Sequence, residues 1–212
     1  MACRLALLLA MDVSRSVDEA DYRVQQLGLL DALRDPAIRR ALLDTPDPVA
    51  LAIFEWSGRN HHDVLVDWRL IRTPQDLAAV EAAVAGRILP AVRLNTALGA
   101  ALQFAHDMMA RAPDCDEMVV DLSGDGSNNS GITPAQAYAQ SGWGAIRVNG
   151  LAIGEHEPFT EGYYRREVMR GPGAFVEVAP KQKDFPRAIR RKLLRELSTV
   201  IIGLEPGGDR PG

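Results

Sequence analysis

Leu5-Ala6-Leu7-Leu8-Leu9-Ala10-Met11 runs directly into Asp12-Val13-Ser14-Arg15-Ser16. The apolar run reads as a buried strand. The polar residues behind it put a carboxylate and two hydroxyls at alternate positions, just where that strand ends. Groups so placed can converge on one small cation. Magnesium prefers oxygen ligands in near-octahedral geometry and keeps several waters, and Asp-x-Ser-x-Ser supplies part of such a shell while leaving room for another ligand.

The bulk properties fit this picture. With 212 residues, 47% hydrophobic and 25% charged, the chain has enough material for one sizeable core and is not of disordered composition. A net charge of −4 makes no electrostatic case for nucleic acid. No apolar run approaches the roughly 20 residues that a membrane helix needs, so no membrane insertion is expected. The segment Leu5–Ala10 behind Arg4 has some look of an export signal, but the polar region before it is nearly missing. The strand reading is preferred, and an upstream leader is left open.

Strand-like and helix-like patterns alternate from end to end. They predict a three-layer, doubly wound α/β fold with a mostly parallel six-stranded sheet and one antiparallel edge strand. Strands are expected over 4–11, 49–56, 62–70, 117–123, 145–153 and 174–178. Ser57-Gly58-Arg59-Asn60 is too short a link for a crossover, so the second and third strands should be antiparallel. Helices are expected from Asp18 or Glu19 to Leu33 (inward face Val24, Leu27, Leu30) and from Asp35-Pro36 to Leu43. Further helices should span 73–85, 96–111, 133–141 and 159–170. A closing helix from Asp184 should bury Ile189, Leu193, Leu197, Val200 and Ile201. One domain over 1–204 and a tail over 205–212 are expected.

In open sheets of this kind ligands bind beyond the carboxyl ends of strands, where strand order reverses. Three segments could meet there: Asp12, Ser14 and Ser16; Thr96 at the start of a helix; and Asp125, which follows the apolar run Met118–Leu122. Two carboxylates and three hydroxyls without a soft ligand suit Mg2+ or Mn2+, and Ca2+ less well because it wants more oxygens. Cys3 and Cys115 precede Asp12 and Asp125 by nearly equal spacings. They are either two buried thiols or, if the two strands are parallel neighbours, a disulfide pair at the opposite edge. A bond would argue for an oxidising compartment, periplasmic or extracellular if a leader precedes the chain; otherwise the expectation is cytoplasmic.

On Asp12-x-Ser14-x-Ser16, Thr96 and Asp125-Gly126, the chain resembles the von Willebrand factor type A domain, the fold shared with integrin I domains. The order of elements carries the resemblance from about Arg4 to Leu204. Phe54-Glu55-Trp56-Ser57-Gly58, Ser123-Gly124-Asp125-Gly126 and Arg170-Gly171-Pro172-Gly173-Ala174-Phe175 are similar to a bacterial branch of unknown function. The resemblance implies a metal-ion-dependent adhesion site (MIDAS) whose cation accepts a carboxylate from a protein partner presenting Asp or Glu, and no enzymatic activity. One departure stands out: Gly124 occupies a position where that family usually has a threonine or similar residue.

Other readings use the same residues. Asp12-Val-Ser-Arg-Ser could be only a helix cap, but capping leaves Thr96 and Asp125 unexplained. A metal-assisted hydrolase or phosphotransferase is one alternative, although position 14 is Ser and no lysine occurs before Lys181. A scaffold with a vestigial ion site is another. His61-His62 reads as turn, Glu55, Trp56 and Trp68 as a cross-strand cluster near an edge, and Arg187, Arg190, Arg191, Lys192 and Arg195 as a solvated stripe on the last helix.

Overall fold

The computed structural model of the protein describes residues 3–91, 94–140 and 142–202, with residues 199–202 described by backbone only. In chain order the first elements are β1 (Leu5–Asp12), α1 (Glu19–Arg34), α2 (Pro36–Leu43), β2 (Val49–Ser57), β3 (His61–Ile71), α3 (Pro74–Ala85) and α4 (Leu98–Met109). Then come β4 (Glu117–Gly124), α5 (Pro134–Gln140), β5 (Arg147–Ile153), α6 (Thr160–Tyr163), a π-helical turn (Tyr164–Val168), β6 (Val176–Ala179) and α7 (Phe185–Ile202).

Every residue of β1 is buried, because it lies between two layers of helices. Leu5, Leu7, Leu9 and Met11 pack with side chains of α1, α2, α3 and α7. Leu8 and Ala10 point the other way, into a second cluster with α4, α5 and the π-helical turn. A strand covered on both faces has no solvent side to mark with polar residues, hence the unbroken apolar run.

The sheet order is β3-β2-β1-β4-β5-β6. All pairs are parallel except β2 with β3 at the edge. The architecture is the three-layer α/β fold that the alternating patterns predict. Order reverses at β1, which pairs with β2 on one side and β4 on the other. The chain therefore leaves the ends of β1 and β4 toward opposite faces and opens a crevice between them. Asp12 is the last residue of β1, and Asp125 directly follows β4.

At the opposite edge, the register that places Leu5 beside Glu117 brings Cys3 beside Cys115. Their Cα atoms lie 4.3 Å apart, and a disulfide joins them across 112 residues of sequence. The bond fastens β1 to β4 at one end, while the polar residues gather at the other.

Several expectations need correction. Leu27 is 47% exposed. Leu30 is buried and Val24 packs partly buried against the same core, as expected, while Leu29 and Leu33 take the place of Leu27, with Gly28 allowing Pro186 of α7 to come within 3.0 Å of where a Cβ would stand. Lys192 is not part of a solvated stripe. It is fully buried, one turn of helix from Ala188, Ile189 and Glu196 on the core face of α7. Its Nζ lies 2.7 Å from Asp121 Oδ1 and 2.7 Å from Glu196 Oε1. The approach to Asp121 is an ion pair without hydrogen-bond alignment. Asn149 of β5 also donates to Glu196 Oε1, at 2.8 Å. A polar cluster thus sits inside the layer that α7 shares with β4 and β5.

His61 and His62 begin β3, after the turn rather than in it. His62 stacks on Phe104, with ring centroids 4.6 Å apart. Glu55 and Trp56 are buried on opposite faces of β2, next to the edge strand β3, so the expected cluster is divided between two faces. Trp56 and Trp68 pack on the α4 side, whereas Glu55 accepts from the Tyr22 hydroxyl at 2.5 Å and from Arg87 at 3.0 Å on the other. The helix expected over 159–170 begins at Thr160 and widens to π geometry from Tyr164. The side chains of Val200 and Ile201, and residues 205–212, lie outside the described residues.

Candidate metal centre

The three polar segments converge at the carboxyl edge of β1 and β4. Asp12 Oδ1 accepts from the backbone N–H of Ser14 at 2.7 Å, which folds the loop back over the strand end. Ser14 Oγ lies 3.2 Å from Ser16 Oγ. Ser16 Oγ donates to Asp125 Oδ1 at 2.6 Å. Thr96 Oγ1 donates to Ser14 Oγ at 3.3 Å. All five side chains expected from the sequence therefore lie in one connected set, although Thr96 sits in the loop before α4 rather than on the helix itself.

A polar loop holds Thr96 in place. Its N–H donates to Asn129 Oδ1 at 2.9 Å, and its carbonyl accepts from the N–H groups of Asn129 and Ser130 at 2.9 and 3.1 Å. Asn128 Oδ1 accepts from Gly99 N at 3.2 Å, so the same loop also satisfies an amide in the first turn of α4. The stretch after Asp125 is thus a clamp on the threonine segment. A second clamp comes from the loop after β5. Glu157 takes hydrogen bonds from Ser127 N and Oγ at 2.6 and 2.8 Å, and Thr160 Oγ1 donates to the Asp125 carbonyl at 3.3 Å. Sequence reasoning missed Glu157, Thr160 and His156, whose Nε2 lies 3.9 Å from Asp125 Oδ2. His156 and Glu157 sit in a loop with no periodic pattern to point them out, and Thr160 opens α6.

The Gly124 departure has a steric cause. A Cβ there would collide with the hydroxyl of Tyr164 and stand 2.9 Å from Asp12 Oδ2. Tyr164, fully buried in the π-helical turn, occupies the space that a threonine side chain would need.

Burial dominates the electrostatics of the site. Asp12 and Asp125 are buried, and each keeps one carboxylate oxygen without a hydrogen-bond partner. Burial, then the neighbouring charge of Asp125, pushes the Asp12 carboxyl up to about 8. Burial likewise raises that of Asp125. Two desolvated carboxylates are costly unless a cation or a proton joins them. Among the described residues, no three His, Cys, Asp or Glu side chains are grouped to hold an ion by themselves. Any cation here would depend on the hydroxyls, and two carboxylates with three hydroxyls fit a hard, oxygen-seeking ion.

Comparison with known proteins agrees with the fold. The family model described as "Protein of unknown function (DUF1194)" matches residues 2–201. No curated protein matches the sequence. Among solved structures, a von Willebrand factor type A protein from Catenulispora acidiphila is 20% identical with a TM-score of 0.66, covering 94% of this chain and 43% of that one. Proximal thread matrix protein 1 of the mussel byssus, solved with a zinc-occupied MIDAS motif, is 13% identical with a TM-score of 0.67, covering 92% and 46%. BatB from Bacteroides thetaiotaomicron is 14% identical with a TM-score of 0.60, covering 92% and 99%. The chain spans less than half the length of the byssus protein, the pilus adhesin SpaC and the Catenulispora protein that it matches. These likenesses establish a von Willebrand type A fold. Among the described residues, no helix is long and apolar enough to cross a membrane.

Proposed function

The chain belongs to the DUF1194 family, and we propose that it is a metal-dependent protein-binding module. In this reading Asp12, Ser14, Ser16, Thr96 and Asp125 hold one hard divalent ion, most simply Mg2+. The partner is a protein that presents an Asp or Glu side chain to the ion's open position. The observation that carries the reading is the pair of buried carboxylates, each with a bare oxygen, joined through Ser14 and Ser16 of one loop, with the Thr96 hydroxyl of a second loop bonded to Ser14. With few protein charges around it, a divalent ion there stays electrophilic, and an outside carboxylate gains by joining it. The zinc-occupied MIDAS motif of the byssus protein, on the same fold, supports a divalent ion without identifying it.

A metal-assisted hydrolase is the second reading, and His156 near Asp125 is the observation in its favour. The deciding experiment is a pull-down from native extract with and without chelator, using wild type and Asp125→Ala, alongside magnesium-dependent turnover of generic phosphate-ester and peptide substrates. The binding reading expects capture that chelator and Asp125→Ala both abolish. Turnover that His156→Ala removes would replace it with the catalytic one.

A further inference from the structure

Beside the hydroxyl-lined corner runs a cleft of about 340 Å³, walled by Arg15, Arg59, Asn60, Leu94, Asn95 and Ser130. Arg15 stands on a loop that builds the corner, and Arg59 on the turn between β2 and β3 beside it. Arg15 is the residue between Ser14 and Ser16, and its N–H donates to the Leu94 carbonyl at 2.9 Å, tying that loop to the threonine segment. Arg59 follows Gly58, whose backbone has φ +54° and whose N–H donates to the Asn95 carbonyl at 2.6 Å. The Arg59 stem then lies across Gly131, where a Cβ would stand 3.2 Å from its Cγ.

Neither guanidinium has an acidic partner among the described residues. By contrast, nine other arginines each lie within 4.0 Å of a carboxylate. Here two like charges line one cleft whose other named walls are neutral. Guanidinium groups are planar donor forks that match carboxylates, and the Asn60, Asn95 and Ser130 side chains add hydrogen-bonding capacity. Buried Asp12 and Asp125 next door, with the net charge of −4, disfavour a polyanion such as nucleic acid.

We propose that this cleft is a second acid-recognition subsite, so that the partner is an acidic peptide segment carrying two carboxylates. One goes to the ion corner and the other, a few residues away along an extended chain, goes to Arg15 and Arg59. The inference rests on the ion-site reading for the first carboxylate, while the arginine contribution is separable from it.

The test uses fluorescent Gly/Ser peptides bearing one Glu, two Glu at short spacings, or Gln in their place, followed by polarisation in magnesium and in chelator. The two-Glu peptide is expected to bind wild type about tenfold more tightly than the one-Glu peptide, and less so in high salt. Arg15→Gln/Arg59→Gln should bring it down to the one-Glu affinity while the magnesium-dependent rise in melting temperature stays. A two-Glu advantage that survives in the double variant, equal affinities in wild type, or no peptide binding at all would overturn the subsite. So would a short single-stranded oligonucleotide that binds with the same arginine dependence. If chelator leaves one-Glu binding untouched, the ion reading falls, and the arginine dependence of the two-Glu peptide still decides the cleft.

Discussion

The hydroxyl of Ser16 donates to Asp125 Oδ1 at 2.6 Å and so joins the loop after β1 to the loop after β4 across 109 residues of sequence. It leaves Asp125 Oδ2, like Asp12 Oδ2, buried without a hydrogen-bond partner. Two such oxygens should make the metal-free protein less stable than it would be with neutral side chains. Asp12→Asn keeps the acceptor for Ser14 N but removes the charge. It should raise the metal-free melting temperature in chelator, by about 1–2 kcal/mol of stability. The same change should abolish the response to magnesium. In wild type, magnesium at ten times its dissociation constant should add about 1.4 kcal/mol, a rise of roughly 3–6 °C. Calorimetry of both proteins with and without magnesium checks both signs, and a variant that still responds to magnesium would count against the site.

Lys192 should be more costly to remove than any surface arginine. Lys192→Met leaves Asp121 and Glu196 buried without their cation and should destabilise by about 3–5 kcal/mol. Neutralising the carboxylates as well, in Lys192→Met/Asp121→Asn/Glu196→Gln, should recover most of that loss. Urea unfolding of the two variants measures the recovery.

The same cluster predicts a pH dependence. Burial pushes the Asp121 carboxyl up to about 7, with the Lys192 charge pulling it down and that of Glu196 pushing it up. The folded state then holds a proton that the unfolded chain releases near the ordinary value of 3.8. The stability that this carboxyl contributes is fully present below about pH 4 and is lost as pH rises through about 7. Asp121→Asn should flatten this fall between pH 4 and 7, as read from melting temperatures of wild type and variant in chelator.

Gly124→Ala should destabilise by about 1–3 kcal/mol, since its Cβ would collide with the Tyr164 hydroxyl and crowd Asp12. Tyr164→Phe removes the hydroxyl and should relieve part of that cost. A double-mutant cycle tests the coupling, and additive effects would refute the steric account.

Much of the fold could be read along the chain because its signals are local. The unbroken apolar run of β1 announces a strand covered on both faces. Thr73-Pro74 marks a helix start, and the structure has a capping box there with Asp76. Helix faces were harder. Leu27 and Lys192 each took the opposite side from the one their chemistry suggests. Lys192 can lie in the core only because Asp121 and Glu196 meet it there, and Asp121 comes from another element 71 positions away.

For the site, the residue types of Asp12, Ser14, Ser16, Thr96 and Asp125, the strand ends that carry Asp12 and Asp125, and the helix start near Thr96 were determined by sequence, because the alternation of elements and the turns between them are local facts. Their contact was decided by tertiary structure alone, since hydrogen bonds across 82 and 109 residues depend on which strands become neighbours. The roles of Glu157, His156 and Tyr164 belong wholly to that second kind. No local periodicity distinguishes a side chain that lands beside Asp125 from one that faces water, and only the parallel pairing of β4 with β5 brings the 154–164 segment over the site.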